Sequence, residues 1–514
     1  MPIIVEIKLI PELASNKAAI EKEALSIASL NASEVNHIKI LKKSLDARSK
    51  QIIFRLKIEI FLIHEPYDSS LKTFSYQKVS DVKTCHIIGF GPAGIYAALQ
   101  CLELGIKPII LERGKAVDDR IKDIAAIHKK FIIDKDSNYC YGEGGAGTYS
   151  DGKLYTRSNK RGDIQKVLDV MIEHGANENI GYEAHPHIGT NKLPKLIEAM
   201  RKTIIQQGGE IHFQTKMIDF IIQDNIITEI ISDHGNSFKV QNVILATGHS
   251  ARDIFYLLEK KNITIEPKSF AIGVRIEHPQ AVIDTIQYRC DIRNEFLPPS
   301  SYSIVTQAGG KGIFSFCMCP GGVICPAATD DGEIVVNGWS SSARNGFYAN
   351  SGLVVAVGPE NWEEYKHNGS LAALELQKSV EQKAYHTTKS LMAPAQRVTD
   401  FIQQKKSLDL PRTSYQPGLV SVDLNTVLPE FVSSSLRLAV VDFGKKMLHF
   451  VSPNAIIVGV ETRTSSPVRI PRDPITFRHP EISNLFPCGE GAGYAGGIVS
   501  AAMDGMACAK AVGG

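Results

Sequence analysis

At 514 residues the chain is too long for one ordinary core, and about 100–200 residues per domain suggests about three. Its 57 basic and 55 acidic residues leave a net charge of only +2, so there is no electrostatic case for a nucleic-acid partner, and 43% hydrophobic with 22% charged residues is the balance of a soluble globular protein. No apolar run approaches the roughly 18 residues that span a bilayer, the opening Met1-Pro2-Ile3-Ile4-Val5-Glu6 is charged early, and nine scattered cysteines suit a reduced compartment, so a cytoplasmic protein without a membrane span is expected.

Residues 1–80 alternate as strand (Ile3 to Ile10), helix (Asn16 to Ser29), strand (His37 to Ser44) and strand (Gln51 to Leu62), a small βαββ unit with a helix over an antiparallel sheet. The polar turn Ser44 to Lys50 reads as its hairpin and as a docking point on the next unit. That unit, 81–255, opens on Cys85-His86-Ile87-Ile88-Gly89-Phe90-Gly91-Pro92-Ala93-Gly94, an apolar strand entering a glycine turn from which an alanine-rich helix leaves. A second run, Pro108-Ile109-Ile110-Leu111, ends on Glu112. This is the pattern of a dinucleotide-binding βαβ unit. Gly89 permits the tight turn, Gly91 lets backbone approach a pyrophosphate, Gly94 lets helix and strand pack closely, and Glu112 stands where an acid accepts ribose hydroxyls.

A charged helix is expected over Ala116 to Phe131, followed by a glycine-dense loop, Tyr141 to Leu154. Its Gly145, Gly147, Thr148, Ser150, Gly152 and Lys153 suit backbone lying against a ligand better than a free surface loop. Helices over Asp163 to His174 and Leu193 to Gln207 precede four short strands: Glu210 to Thr215, Met217 to Ile222, Ile226 to Ser232 and Lys239 to Ala246. The last ends in Thr247-Gly248-His249, small enough for backbone to sit beside the dinucleotide; a solvent-facing loop is the commoner outcome for His249 than an acid–base role.

From 256 to 477 the composition turns to β-type runs, prolines and loops, as expected of a mixed α/β substrate or cap domain inserted into the nucleotide fold. Cys317-Met318-Cys319 within it reads either as buried structural thiols, the preferred reading, or as a redox pair. Adjacent same-side positions on a strand suit an unstrained disulfide poorly, and no further paired ligands favour zinc. Arg275, Arg463 and Arg469 are candidates for an anionic substrate group, with ordinary ion pairs an equal alternative. The segment 478–514 returns to the nucleotide fold. There Gly489-Glu490 to Gly496-Gly497 is too glycine-rich for a helix, and Ile498 opens one that runs to Val512.

The Gly-Phe-Gly-Pro-Ala-Gly turn ending on Glu112-Arg113, the Ala-Thr-Gly turn and the late glycine run resemble the glutathione-reductase-like FAD superfamily. The 142–154 loop, Cys-Met-Cys-Pro-Gly-Gly and Gly-Glu-Gly-Ala-Gly-Tyr-Ala-Gly-Gly narrow the likeness to an uncharacterised bacterial family of FAD-dependent dehydrogenases carrying a small N-terminal domain. The resemblance implies FAD, with Gly89, Gly91 and Gly94 at the pyrophosphate, Glu112 at the adenosine ribose and Arg113 near the adenine. It also implies Gly248 beside the dinucleotide, and Gly489, Glu490 and Gly497 near the ribityl chain and flavin. Fold and function follow as expectations: a Rossmann-like FAD domain with an inserted cap and a ferredoxin-like N-terminal unit, acting as an oxidoreductase on a small molecule. A second dinucleotide fingerprint is absent, which leaves NAD(P)H as a transient reductant only. The alternatives are a flavin-dependent nucleic-acid-modifying enzyme and a non-catalytic electron-transfer module.

Overall fold

The computed structural model describes residues 2–68, 70–156 and 162–514, and it is a mixed α/β molecule. At the N-terminus, strand Ile53–Leu62 pairs antiparallel with Ile3–Leu9 on one side and Val35–Asp46 on the other. Alternation along Ile3–Leu9 buries Val5, Ile7 and Leu9 against Leu56, Ile58 and Ile60, and helix Lys17–Ala28 adds Ile20 and Ala24. Asn16 caps that helix by accepting from the Ala19 N–H. The unit docks from within a strand: Lys43 N–H donates to Tyr182 O at 2.8 Å and Ala184 N–H to Lys43 O at 2.9 Å. The expected docking turn, Ser44 to Lys50, lies just beyond this contact, and the strand itself runs on to Asp46.

A five-stranded parallel sheet follows, in the spatial order Leu485–Pro487, Val243–Leu245, Thr84–Ile88, Lys107–Leu111, Glu210–His212. Helices Pro92–Glu103 and Ile498–Gly513 lie against one another, and a Cβ on Gly505 would overlap the carbonyl of Ala93. The chain leaves this sheet after Leu245 and re-enters it at Leu485. The single strand expected over Lys239 to Ala246 is two. Ser237–Lys239 closes an antiparallel meander with Met217–Gln223 and Ile226–Ser232, and Val243–Leu245 enters the parallel sheet. The polar Gln241-Asn242 step is where the chain changes sheets.

Between 245 and 485 the chain builds a second, larger sheet in the order Val305–Ala308, Lys311–Pro326, Tyr348–Val357, Phe270–Pro279, Ile456–Glu461, Ala393–Arg397, Leu419–Ser421, with Val336–Ser340 paired to Lys311–Pro326. Helices Ala372–Thr388 and Glu430–Lys446 contribute to its apolar core, which includes Ile272, Leu353, Val380, Leu436, Phe443 and Ile457. Among the described residues no helix is long and apolar enough to cross a membrane.

Candidate functional site

Strand Thr84–Ile88 ends at Gly89, whose φ of +100° and N–H to Leu111 O at 2.9 Å form the tight turn. A Cβ there would lie 2.5 Å from Ala246 O, and one on Gly94 would overlap the Gly89 carbonyl. Gly91 differs: its backbone is extended, and a Cβ would meet only Gly145 Cα, at 3.8 Å. Pro92 starts the helix, so the first turn presents N–H groups without intrahelical partners and a partial positive charge. Glu112 is buried, with Oε2 accepting from Phe90 N–H at 2.8 Å and Oε1 from the Gly114 and Gly142 N–H groups at 2.9 Å each. Those three bonds leave room for about one more donor, such as a hydroxyl. Arg113 pairs with Asp136 at 2.6 Å and Asp253 at 2.9 Å and lies over the Tyr141 ring.

The glycine-dense loop spans from this turn to the larger sheet. Gly145 packs on Gly91, and Gly147 on Pro92 and Ile498, while Asp151 reaches Arg344 at 2.6 Å and Lys153 Nζ stands 3.8 Å from Cys319 Sγ. Arg120, fully buried, holds the loop by donating to the carbonyls of Asn138, Glu143 and Gly145 at 2.7–2.9 Å. Nothing in a charged amphipathic helix singles this arginine out in the sequence. Thr148 donates to Glu143 O at 2.6 Å and accepts from Arg120, so its role is to shape the loop and not to line the cavity.

Two further turns complete the nucleotide side. His249 does not face solvent: its side chain is 14% exposed, Nε2 is 3.6 Å from Glu490 Oε2, and Nδ1 has no partner among the described residues. Burial, with Arg463 and Lys268 nearby, pushes its pKa down to about 4, and burial pushes the Glu490 carboxyl up. Gly489 turns away from the cavity wall and donates its N–H to Asp504 at 2.7 Å. Gly497 caps helix Ile498–Gly513, and both Gly497 and Ile498 face the cavity. The grouping of Cys488, Asp504 and Cys508 already contains a cation, because Arg472 donates to Asp504 at 2.5 Å and to Cys508 Sγ at 3.3 Å.

On the opposite wall, the arginines expected to bind an anionic substrate are engaged elsewhere. Arg275 is fully buried, paired with Glu461 at 2.8 Å and donating to Asn350, Asn337 and the Cys317 carbonyl. Burial lifts Glu461 to about 7 even against Arg275. Arg463 is held by Glu333 and Glu381 at 2.9 Å each, and Arg252 joins the same carboxylates at 2.7 Å, which ties helix Arg252–Lys260 to helix Ala372–Thr388 and to the loop before strand Val336–Ser340. Arg469 is exposed and stacks on Tyr494, away from the cavity. Regular alternation also fails at the thiols: Cys317 has φ +43° and the strand register shifts between Phe316 and Cys319. Cys319 is buried and donates to Cys317 O at 3.2 Å, whereas Cys317 is exposed, and both line the cavity.

All these walls enclose one cavity of about 370 Å³, within the range of small-molecule and cofactor sites. It receives Gly89, Gly91, Pro92, Ala93, Glu112 and Arg113. The glycine loop contributes Gly145, Gly147, Ser150, Gly152 and Lys153, and the later turns Thr247, Gly248, Glu490, Gly497 and Ile498. Gly94, Thr148 and Gly489 stand behind this surface. Open space beside Gly91, Gly248, Gly496 and Gly497, where a Cβ meets nothing closer than 3.8 Å, is the cradle a dinucleotide needs.

Residues 269–464 match the family described as "FAD-dependent protein, C-terminal domain-like", and residues 1–61 match a domain of unknown function, DUF8436. An uncharacterized protein of Clostridium beijerinckii is 36% identical over 96% of this chain and 95% of its own length. Solved structures with lower likeness include the open conformation of a flavocytochrome c3 fumarate reductase (12% identity, 87% of this chain and 83% of that one, TM-score 0.35). Another is glycine oxidase from Bacillus cereus (14% identity, 85% and 95%, TM-score 0.31). Likeness at this level leaves the site to be read from its own residues. FAD is the cofactor that the family match and the cavity agree on, and the chain belongs to the same family as the Clostridium beijerinckii protein.

Proposed function

We propose that the chain is an FAD-dependent oxidoreductase acting on a small molecule held between the nucleotide turns and the larger sheet. The fold reading that goes with it is a glutathione-reductase-type nucleotide domain (81–255 and 478–514), an inserted cap (256–477) and a ferredoxin-like N-terminal unit (1–80). One observation carries it: the glycine turn, the acid at Glu112 and the thiol-bearing strand Lys311–Pro326 wall a single cavity. Gly89, Gly91 and the N-terminus of helix Pro92–Glu103 would hold the pyrophosphate, and Glu112 a ribose hydroxyl. When bound, the isoalloxazine supplies the electron or hydride chemistry. The protein supplies the rest: helix Ile498–Gly513 presents its positive end to the cavity, and the apolar wall excludes water. His249 and Glu490, 3.6 Å apart, are a pair between which a proton can be held. NAD(P)H would serve as a transient reductant on the same cavity.

Gly91→Val tests the reading, because a Cβ at this cavity-lining position meets no protein atom closer than 3.8 Å. The variant should fold and melt like the apo wild type but release no FAD on denaturation, where the wild type releases FAD and not FMN. A folded Gly91→Val protein that retains stoichiometric FAD overturns the site. A screen of NADPH and small-molecule donors for flavin bleaching then separates an enzyme from a carrier reduced only by a protein.

A further inference from the structure

We propose that the end of the cavity under the larger sheet is an anion subsite in which Lys153, aided by the Asn337 amide, binds a carboxylate, so that the substrate is a small organic acid. This rests on the flavoenzyme reading above and names the substrate class of that site.

The position comes from the path of the glycine-dense loop. It starts against Gly91 at Gly145 and ends with Lys153 against Cys319, on strand Lys311–Pro326 of the larger sheet. Lys153 is therefore placed among cap-side groups and not at the pyrophosphate turn.

Charge supplies the chemistry. Lys153 Nζ has two polar neighbours, both long: Asp151 Oδ2 at 3.7 Å and Cys319 Sγ at 3.8 Å. Asp151 is already held by Arg344 at 2.6 Å, so the trio Asp151, Lys153 and Arg344 sums to one positive charge, with Glu183 a further carboxylate on the Arg344 side. Cys319 is shared among several groups: its Sγ lies 3.2 Å from the Cys317 carbonyl and also 3.8 Å from Arg275 Nη2. Arg275 and Glu461 neutralise one another at 2.8 Å. The side chain of Lys153 is 37% exposed and lines the cavity, which leaves its ammonium hydrogens open to an incoming acceptor.

Asn337 provides a neutral donor on the same wall. Its Oδ1 accepts from Arg275 Nη1 at 3.1 Å and from the Gly338 N–H at 2.8 Å, and this fixes which end of the amide is which. Its Nδ2 has no acceptor among the described residues. A cation and an oriented N–H pair beside an apolar wall match a carboxylate, with charge-assisted bonds about twice as strong as neutral ones.

The test titrates the FAD-loaded full chain with acetate, succinate and benzoate, and with benzamide as the neutral control, reading perturbation of the flavin absorbance. At least one carboxylate should bind saturably and benzamide should not. Lys153→Met should weaken that carboxylate about tenfold or more, Lys153→Arg should keep it within about threefold, and Asn337→Asp should weaken it by adding a negative charge. FAD content should stay at the wild-type level in all three. The proposal is overturned if no carboxylate binds the wild type, if Lys153→Met binds as well as the wild type, or if Lys153→Met loses FAD, which would make the lysine a cofactor ligand. Should the wild type itself hold no FAD, the flavoenzyme reading fails alone, and the same titrations followed by thermal shift of the apo chain still decide the subsite.

Discussion

Arg275 shows the fold choosing between two readings that its sequence leaves equal, an anion-binding fork and an ordinary ion pair. The structure gives the ion pair: it buries Arg275 completely and closes the fork on Glu461, Asn337, Asn350 and the Cys317 carbonyl. Removing one member of such a pair leaves the other charge in low dielectric, so Arg275→Met should cost about 3–5 kcal/mol at pH 8. Because burial already lifts Glu461 to about 7, the orphaned carboxyl discharges by taking up a proton, and the cost should shrink at pH 6. Urea midpoints of wild type and variant at the two pH values measure this, and a pH-independent loss would mean that the carboxylate is not what suffers. Gly91 and Glu112 were legible in the sequence because their chemistry is local: turn, helix start and acid lie within one βαβ unit. The partner of Arg275 is 186 positions away, and no spacing rule reaches that far.

Elements were legible where one environment governs a whole run, and illegible where a run changes environment midway. Helix Ile498–Gly513 was readable from small and apolar residues at helical spacing, and its glycine-rich approach does form a loop. The run from Lys239 to Ala246 reads as one strand when the polar Gln241-Asn242 step is passed over, yet Lys239 ends a strand of the meander and Val243–Leu245 belongs to the parallel sheet. Strand Lys311–Pro326 hides its irregularity in the same way, since no residue in Phe316-Cys317-Met318-Cys319 announces a left-handed turn of backbone. At helix Ile498–Gly513 the consequential residue is Gly505, which brings the helix onto the Ala93 carbonyl and so sets where its N-terminus meets the cavity. Gly505→Leu overpacks that contact and should destabilise the chain by about 1–3 kcal/mol. It should also lower the FAD content, because Gly497 and Ile498 move with the helix, whereas Lys510→Leu near its exposed end should leave FAD content unchanged. Equal FAD in the Gly505→Leu protein would show that the helix end is not part of the cradle.

Across the whole molecule, three histidines in three different settings act on stability in the same direction. His86 lies in the parallel sheet, His249 in the cavity and His278 in the larger sheet, and burial pushes each down to about 4. The unfolded chain then binds more protons than the folded one between pH 4 and 6.5, so stability from these groups is fully present above 6.5 and is lost as pH falls through 4. His278 is the best isolated of the three: Nε2 stands 2.8 Å from the Phe450 carbonyl and donates its proton there, and Nδ1 is buried with no partner among the described residues. Protonating it would place an unpaired N–H and a charge inside the core, at a cost approaching about 3 kcal/mol for a shift of this size. Gln at 278 can keep a donor for Phe450 and cannot take up a proton. His278→Gln should therefore lose some stability at pH 7 through imperfect packing, and its urea midpoint should fall less steeply than the wild type's between pH 6.5 and 4.5. The other two histidines keep part of the slope, and the loss of His249's neutral form, in the cavity, should release FAD as pH falls through about 4. Parallel slopes for wild type and His278→Gln would place the acid sensitivity elsewhere, and retention of FAD well below pH 4 by the folded chain would remove His249 from the group of residues on which the cofactor depends.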